Sequence, residues 1–491
     1  MKKYWIVIVC IFVINGLTFC KNGEEYFSDT TKTYNKYLSL VNACKNYQDK
    51  LSDSFVFFDK IENASYVLNG KDIKFINLEL TKGLQALEQS IAFYETGEKL
   101  IKSDDDAKQD ENKLCFLRLL YTHLRITSYE TFFLYQEIAG QNINVNRLIC
   151  EENKLYHREK NLLNKIKEKI ISEKFRESTL KSWKSIANNS ANTKNADISQ
   201  KIASSKYYQS FLSDNEKIKQ SKNYFKSLVK EKRKFSARMI ISDLKVNALK
   251  KASRVFGNFV GIFSLRKGKL FNNEDFINNS LKQLQPLDVI LEKTPFRLTD
   301  VFIPGYWDHA GIYIGNEAQL KKIGVWDNPF VAKYHEEIKT GCVVIEALRS
   351  DVEFNTFKHF TDIDDYAHLR LKNGITIEKK KGMIISAFAQ IGKKYDFSFD
   401  VESDKEIVCS ELHYIVFDQV AFNTSEILEM NTISVDQIAE NAFSGGEFLL
   451  INLFLDGIKV KKERMHELYY LLPDARSRQI KMIKKNLHHN K

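Results

Sequence analysis

The first half of this 491-residue chain has no proline. All five prolines lie at or after Pro286, and six of the twenty glycines precede residue 250. A long stretch so poor in breakers excludes a turn-rich β domain there and favours helices. Paired cysteine motifs are missing too. The seven cysteines form no CxxC pair, and the chain has no zinc-finger spacing and no HExxH. A disulfide scaffold and a metal site therefore have no support, and no cofactor is expected. Cys10 and Cys20 sit at the extreme N-terminus. Cys44, Cys115, Cys150, Cys342 and Cys409 remain, an odd number that leaves at least one thiol without an intrachain partner. The net charge of +11 permits a polyanionic partner. Much of it, however, is lysine mixed with glutamate on helix-like segments, which reads as solvated helix faces. No nucleic-acid-binding motif is present, and none is expected as a partner.

The N-terminus, "MKKYWIVIVCIFVINGLTFCKNGEE", has Lys2 and Lys3, then sixteen residues of apolar run from Tyr4 to Phe19, then Cys20 and polar sequence. A basic n-region followed by an apolar h-region reads as a secretory signal rather than a fold element. Leu17, Thr18 and Cys20 resemble a lipoprotein signal in which the cysteine becomes the lipidated first residue. Phe19 departs from that pattern, which has a small residue before the cysteine. An uncleaved anchor, short for a span, and an ordinary cleaved signal are the alternatives. The lipoprotein and anchor readings tether the rest of the chain to a membrane outside the cytoplasm.

Apolar residues then recur at helical steps. Ile76, Leu80, Leu84, Leu87, Ile91 and Tyr94 in "FINLELTKGLQALEQSIAFYETGEKLI" make one face, and "DENKLCFLRLLYTHLRITSYETFFLYQEI" has a similar stripe. "SIANNSANTKNADISQ" reads as a loop, and Asn223 to Val255 again as helix-like. Such stripes are core faces, and no catalytic residues group among them.

Beyond residue 250 the pattern changes. "LDVILEK", "HAGIYIGN", "CVVIEAL" and "AHLRLK" are short, apolar or alternating, and bounded by turn-like sequence, so they read as strands. "EKKKGMIISAFAQIG" reads as a helix. In "EIVCSELHYIVFDQV" the apolar residues Val408, Leu412, Ile415 and Val416 suit a helix that opens near Cys409. Strands with helices packed on them make an α+β domain.

Two residues in this half suit nucleophilic catalysis. A thiolate is favoured by a helix N-terminus and by an adjacent imidazole. Cys409 opens a helix, and His309 heads the strand "HAGIYIGN". Glu346, on the next strand, is near enough to orient the imidazole, since neighbouring strands lie about 4.8 Å apart. The competing reading takes the cysteine as a small core hydrophobe and the histidine as a satisfied core residue. Asp308 points to the opposite strand face from His309 and reads as a rim residue. Glu411 lies on another side of the Cys409 helix and reads as structural. His359, His368 and His413 show no partner pattern, and Cys342 reads as core.

The blocks "LDVIL", "DHAGIYIG", "VVIEAL", "GKKYDFSF" and "VCSEL", in that order over about residues 283 to 425, resemble the permuted NlpC-type cysteine hydrolases. That group includes the YiiX/YebB-like proteins and is related to lecithin retinol acyltransferase. The resemblance implies a circularly permuted papain-like fold, in which the histidine precedes the cysteine. It implies His309 as base, Cys409 as nucleophile and Glu346 as orienting carboxylate, with Tyr395 of "KKYDF" near the substrate pocket. The expected layout is a lipoprotein-like signal over 1–20, a helical domain over 21–250, a permuted papain-like hydrolase domain over 251–450 and a C-terminal helical extension over 451–491. The expected function is extracytoplasmic hydrolysis of an amide or ester acyl group, in a cell-wall peptide or an acyl lipid, by a protein tethered to the membrane through Cys20. The alternative is an inactive envelope lipoprotein that keeps the fold as a binding module.

Overall fold

Helical spacing in the first half is realised as helices. The structure, a computed structural model, describes residues 30–54, 67–104, 111–139, 143–182, 266–295, 305–372, 375–396, 406–427, 430–443, 445–472 and 480–487, apart from isolated positions inside 171–182 and 480–487. The signal segment with Cys20, the loop at "SIANNSANTKNADISQ", the helix-like stretch Asn223 to Val255 and the boundary at residue 250 lie outside the described residues. Helix α1 spans Thr30–Asp53 and α2 spans Gly70–Phe75. A π-helical turn, Ile76–Leu80, leads into α3, Thr81–Asp104. Then come α4 (Glu111–Ala139), α5 (Ile143–Cys150) and α6 (Leu162–Ile170). Every residue of the stripe Ile76, Leu80, Leu84, Leu87, Ile91 and Tyr94 is buried.

The chain divides into two units. The first takes Met1–Ala64, Leu78–Cys150 and Lys160–Phe235; the second takes Ser65–Asn77, Glu151–Glu159 and Ser236–Lys491. In the first unit α1, α3 and α4 pack on one another, and α6 packs against α3 and α4. Two short pieces of the N-terminal half thus belong to the second unit. One of them carries α2, which Asn69 caps in a reciprocal box with Asp72. In the other, Arg158 is buried and its Nη1 donates to Asn77 Oδ1 at 2.8 Å.

The second unit is a sheet domain. Helix α7 (Glu274–Gln283) leads into β1 (Asp288–Lys293) and β2 (His309–Tyr313). They are followed by β3 (Cys342–Ala347), β4 (Val352–Thr356), a short helix α8 (Phe357–Phe360) and β5 (Asp365–Leu371). Next come α9 (Ile377–Gln390), α10 (Cys409–Val416), the small hairpin β6 (Ser425–Ile427) and β7 (Met430–Thr432), β8 (Phe448–Leu455), β9 (Ile458–Lys459) and α11 (Lys462–Leu471). The large sheet runs β4-β3-β2-β1-β5-β8-β9, and its pairings are antiparallel. β1 lies mid-sheet and is buried along its whole length, which is why it reads as an apolar run rather than an alternation. On one face Ile290, Tyr313, Val344 and Tyr366 pack with Phe276 of α7 and with Phe357 and Phe360 of α8.

The α+β class and the four expected strands are present, and the helix opening at Cys409 is α10. Five strands were not expected: β4, the hairpin β6 and β7, β8 and β9. "VEFNT" (β4) is half polar. "FLLINLFL" (β8) is a continuous apolar run, whose period does not separate strand from helix. The helical extension expected over 451–491 is therefore corrected. β8 crosses residue 450 and pairs along β5 on one side and with β9 on the other, and helix resumes only with α11. Sheet pairing, a long-range requirement, overrides the local reading.

Candidate active site

His309 opens β2. In the β2–β3 ladder Gly311 faces Glu346, so His309 and Glu346 lie diagonally on one face of the sheet, within reach of long side chains. The imidazole Nε2 meets Glu346 Oε2 at 2.9 Å. The other carboxylate oxygen, Oε1, accepts from Asn355 Nδ2 at 3.0 Å and from His359 Nδ1 at 3.1 Å. Glu353 stands directly across from Glu346 in β4. Like charges so placed repel, and the Asn355 amide offsets this by donating to Glu353 Oε2 as well, at 3.2 Å.

The segment before His309 is fixed twice. Asp436 accepts from the backbone N–H groups of Tyr306 and Trp307 at 2.7 and 2.8 Å. Gly305 has φ +109°, and a Cβ there would lie 2.2 Å from Asp436 Oδ2. A left-handed backbone against a carboxylate requires glycine. Asp308, expected at the rim, is buried instead: it pairs with Lys293 Nζ at 2.9 Å and accepts from Thr294 N at 2.7 Å. Its side chain does turn away from the imidazole, but what lies on that side is protein interior rather than solvent.

Cys409 is the first residue of α10 and is buried. The Glu411 carboxylate accepts from Val408 N at 2.9 Å, and Ser410 Oγ donates to Ile433 O at 2.6 Å. Both bonds fix the start of the helix, so Glu411 is the structural residue its position implies. The Cys409 side chain acts electrostatically on His309, and Cys409 and Glu411 are also among the groups whose charge acts on the half-buried Tyr395. The structure thus brings Cys409, His309, Glu346 and Tyr395 into one site.

The electrostatics follow from this crowding. Burial alone would depress the His309 imidazole. The Cys409 sulfur, the Glu346 carboxylate and the charge of Glu292 outweigh it and push the proton affinity well above the ordinary histidine range. Burial would raise Glu346, but hydrogen bonds from His309 and His359 hold it down at about 2. Burial pushes the Tyr395 phenol up, and negative charge at Cys409 adds to this. Cys342 lies four residues from Glu346 along β3, about 13 Å at the usual rise per residue. It is half-buried rather than core, and burial raises its thiol.

Sequence reasoning missed Asn355, His359 and Asp436. None has a local signature, because each reaches the site through pairing or packing. Two further histidines are structural. His368 is buried against Asp288 at 2.6 Å. His413 lies between the carbonyls of Cys409 and Gly311 at 2.7 and 3.3 Å, and burial lowers it to about 4.

Residues 283–464 match the family model of permuted papain-like amidases of the YaeF/YiiX type. These residues form a YiiX-like permuted papain-like domain. The YiiX-like domain is thereby of the amidase or peptidase class of hydrolases. The crystal structure of the metalloprotein yiiX from Escherichia coli is similar at 18% identity, covering 34% of this chain and 97% of that one, with a TM-score of 0.25. No curated protein matches. Among the described residues of this chain, no group of three or more His, Cys, Asp or Glu side chains is arranged to hold a metal ion.

Proposed function

We propose that the YiiX-like domain is a cysteine hydrolase acting on an amide or ester acyl group. Cys409 is the nucleophile, His309 the base and then the acid, and Glu346 the group that orients and stabilises the imidazolium. The observation that carries this reading is the single imidazole held by a buried carboxylate at 2.9 Å, with the Cys409 thiol at the start of α10 acting on the same ring. In the first step the thiolate forms a bond to the substrate carbonyl carbon, at the positive end of α10. The tetrahedral intermediate collapses as the C–N or C–O bond breaks, and the imidazolium gives its proton to the leaving amine or alcohol. His309 then takes a proton from water, the hydroxide adds to the thioester, and the acid leaves as the thiolate is regenerated. Tyr395 lines the substrate pocket.

The reading of the N-terminus supports an extracytoplasmic protein tethered through a lipid on Cys20. A cell-wall peptide or an acyl lipid is the substrate class that such a location favours. Among the described residues no helix is long and apolar enough to cross a membrane.

The test is labelling of the full-length chain with a peptidyl chloromethyl ketone, with Cys409→Ala and Cys342→Ala beside it. Label is expected on the parent and on Cys342→Ala, and none on Cys409→Ala. Label that survives Cys409→Ala overturns the nucleophile assignment. For the tether, Cys20→Ser is expected to block incorporation of radiolabelled palmitate in cells and to leave unprocessed precursor.

A further inference from the structure

The carboxylate of Glu346 has a second imidazole on it. We propose that His359 is a positioning residue for His309, acting through the carboxylate the two share, so that the charge on the outer imidazole sets how much of the Glu346 charge reaches the inner one. This deepens the proposed function and rests on His309 being its base.

The geometry is asymmetric in a way that suits the role. The side chain of Glu346 is 2% exposed and that of His309 13%, whereas that of His359 is 53% exposed. His359 therefore exchanges protons with solvent directly, while the pair it touches is sealed. When neutral, with its proton on Nδ1, it donates to Oε1. With Asn355 Nδ2 on the same oxygen, this fixes the carboxylate with Oε2 turned to His309. When protonated, it places a cation 3.1 Å from a carboxylate that carries one negative charge, in competition with the His309 imidazolium.

An exposed histidine beside an acid is ordinarily a weak surface pair. Two observations separate this one from that case: the acid is buried, and its second oxygen is already committed to the site. The groups facing His359 are acidic on each element around it. They are Glu346 from β3, Glu353 from β4 and Glu292 from β1, while Glu274 of α7 engages the neighbouring Lys358 at 3.2 Å. The hydrogen bond to Glu346 accordingly raises the proton affinity of His359 above the ordinary histidine value, against partial burial.

Sharing has a thermodynamic signature. Two imidazoles on one carboxylate take up protons in coupled steps, the second against the charge of the first. Histidine-selective 13C NMR on the full-length Cys409→Ala chain follows both. The pKa of the surviving imidazole is also measured after adding His359→Asn, and separately after adding His309→Asn. The two single-site values are expected to sum to more than the two steps of the parent, by at least about half a pH unit. Equal sums overturn the proposal. Because His309 is only 13% exposed, Glu346→Gln supplies a second measurement: the pKa values of both imidazoles should fall, and a fall at His309 alone overturns sharing.

The catalytic consequence is read in the chain with Cys409 intact, as the rate of alkylation of Cys409 by iodoacetamide on the alkaline side of the His359 titration. His359→Ala should slow it several-fold, and His359→Asn, which keeps an N–H donor where Nδ1 stood, should recover most of the loss. An alanine variant alkylated at the parent rate overturns the positioning role. Both arms are independent of the chloromethyl ketone experiment, so failure of the nucleophile assignment and failure of this coupling give different results.

Discussion

In the helical unit a buried hydroxyl turns back on its own helix. Ser90, Thr122, Thr127, Ser128, Thr131 and Thr179 each donate to the carbonyl four residues earlier, at 2.7 to 3.0 Å. In the YiiX-like unit a buried charge reaches across the chain. Glu346 meets His309 from 37 residues away, Asp288 meets His368 from 80, and Asp436 meets the Tyr306 N–H from 130. The first arrangement costs the helix little and needs no tertiary contact. The second depends on the whole sheet being assembled, because a buried charge without its partner is costly. The helical unit has long-range pairs as well, such as Gln48 Nε2 to Thr131 Oγ1 at 2.8 Å and Arg125 to Glu98 at 2.8 Å, but it keeps these six hydroxyls on their own carbonyls, whereas the YiiX-like unit builds its site from long-range pairs.

The largest way to break this comparison is at the site itself. Cys409→Ala and His309→Ala should each reduce hydrolysis of an activated acyl ester by on the order of a thousand-fold or more, since nucleophile and base act as one unit. Circular dichroism should show the fold retained. Glu346→Gln should lose less, because the base remains. A Cys409→Ala variant that keeps most of its turnover would end the assignment.

Next in size is Lys293→Met, which strands the buried Asp308 carboxylate directly before His309. A loss of about 3–5 kcal/mol in urea unfolding is expected. A loss below about 1 kcal/mol would show that the pair does not govern stability.

Acid sharpens the comparison by separating two windows. His123 in the helical unit and His413 in the YiiX-like unit are both pushed by burial to about 4. A histidine depressed on folding contributes stability that is fully present above its ordinary value near 6.5 and is lost as pH falls toward 4. Glu346, held at about 2 against an ordinary 4.5, contributes stability present above 4.5 and lost as pH falls toward 2. Urea midpoints measured against pH should therefore be less steep between 4.5 and 2 for Glu346→Gln than for the parent. A parent-like slope in the lower window would contradict the depressed carboxylate.

A smaller effect is expected at Gly70. It comes from the helical half of the sequence but packs in the YiiX-like unit. A Cβ there would lie 2.5 Å from Tyr414 O in α10, the neighbouring Leu68 O accepts from Tyr414 Oη at 2.8 Å, and Lys74 pairs with Asp418. Gly70→Ala should cost about 1–3 kcal/mol and lower Tm, although its position in sequence gives no hint of the YiiX-like domain. The smallest effect is Ser128→Ala, within about 1 kcal/mol. If it rivalled Lys293→Met, the contrast between local and long-range polar groups would fail.

The sequence was most legible where the signal is short-range. Helical stripes, the strand runs at Asp288–Lys293 and His309–Tyr313, and the start of α10 at Cys409 all follow from spacing and from turn residues. The candidate site was legible through Cys409, His309 and Glu346, whose residue types suit nucleophilic catalysis, and through Tyr395, which only the family resemblance pointed to. Asn355 and His359 were not, since an asparagine in a short polar strand and a histidine in "FKHF" look like surface. β8 failed for a different reason, as an apolar run of eight residues satisfies both helix and strand.

By itself, then, the sequence determined the division into a breaker-poor helical half and a sheet half and the α+β class of the latter, and it singled out Cys409, His309 and Glu346 as candidates. Local propensity and residue chemistry are properties of neighbouring residues, and neighbours are visible in a string. Only the tertiary structure decided that Glu346 lies diagonally across from His309, that Asp308 is buried on Lys293 and that Asp436 locks the approach to the base. It alone placed His359 on the same carboxylate and α2 beside Tyr414. Those depend on strand register and on which distant segments pack together, and both are set by burial summed over the whole sheet rather than by any stretch of it.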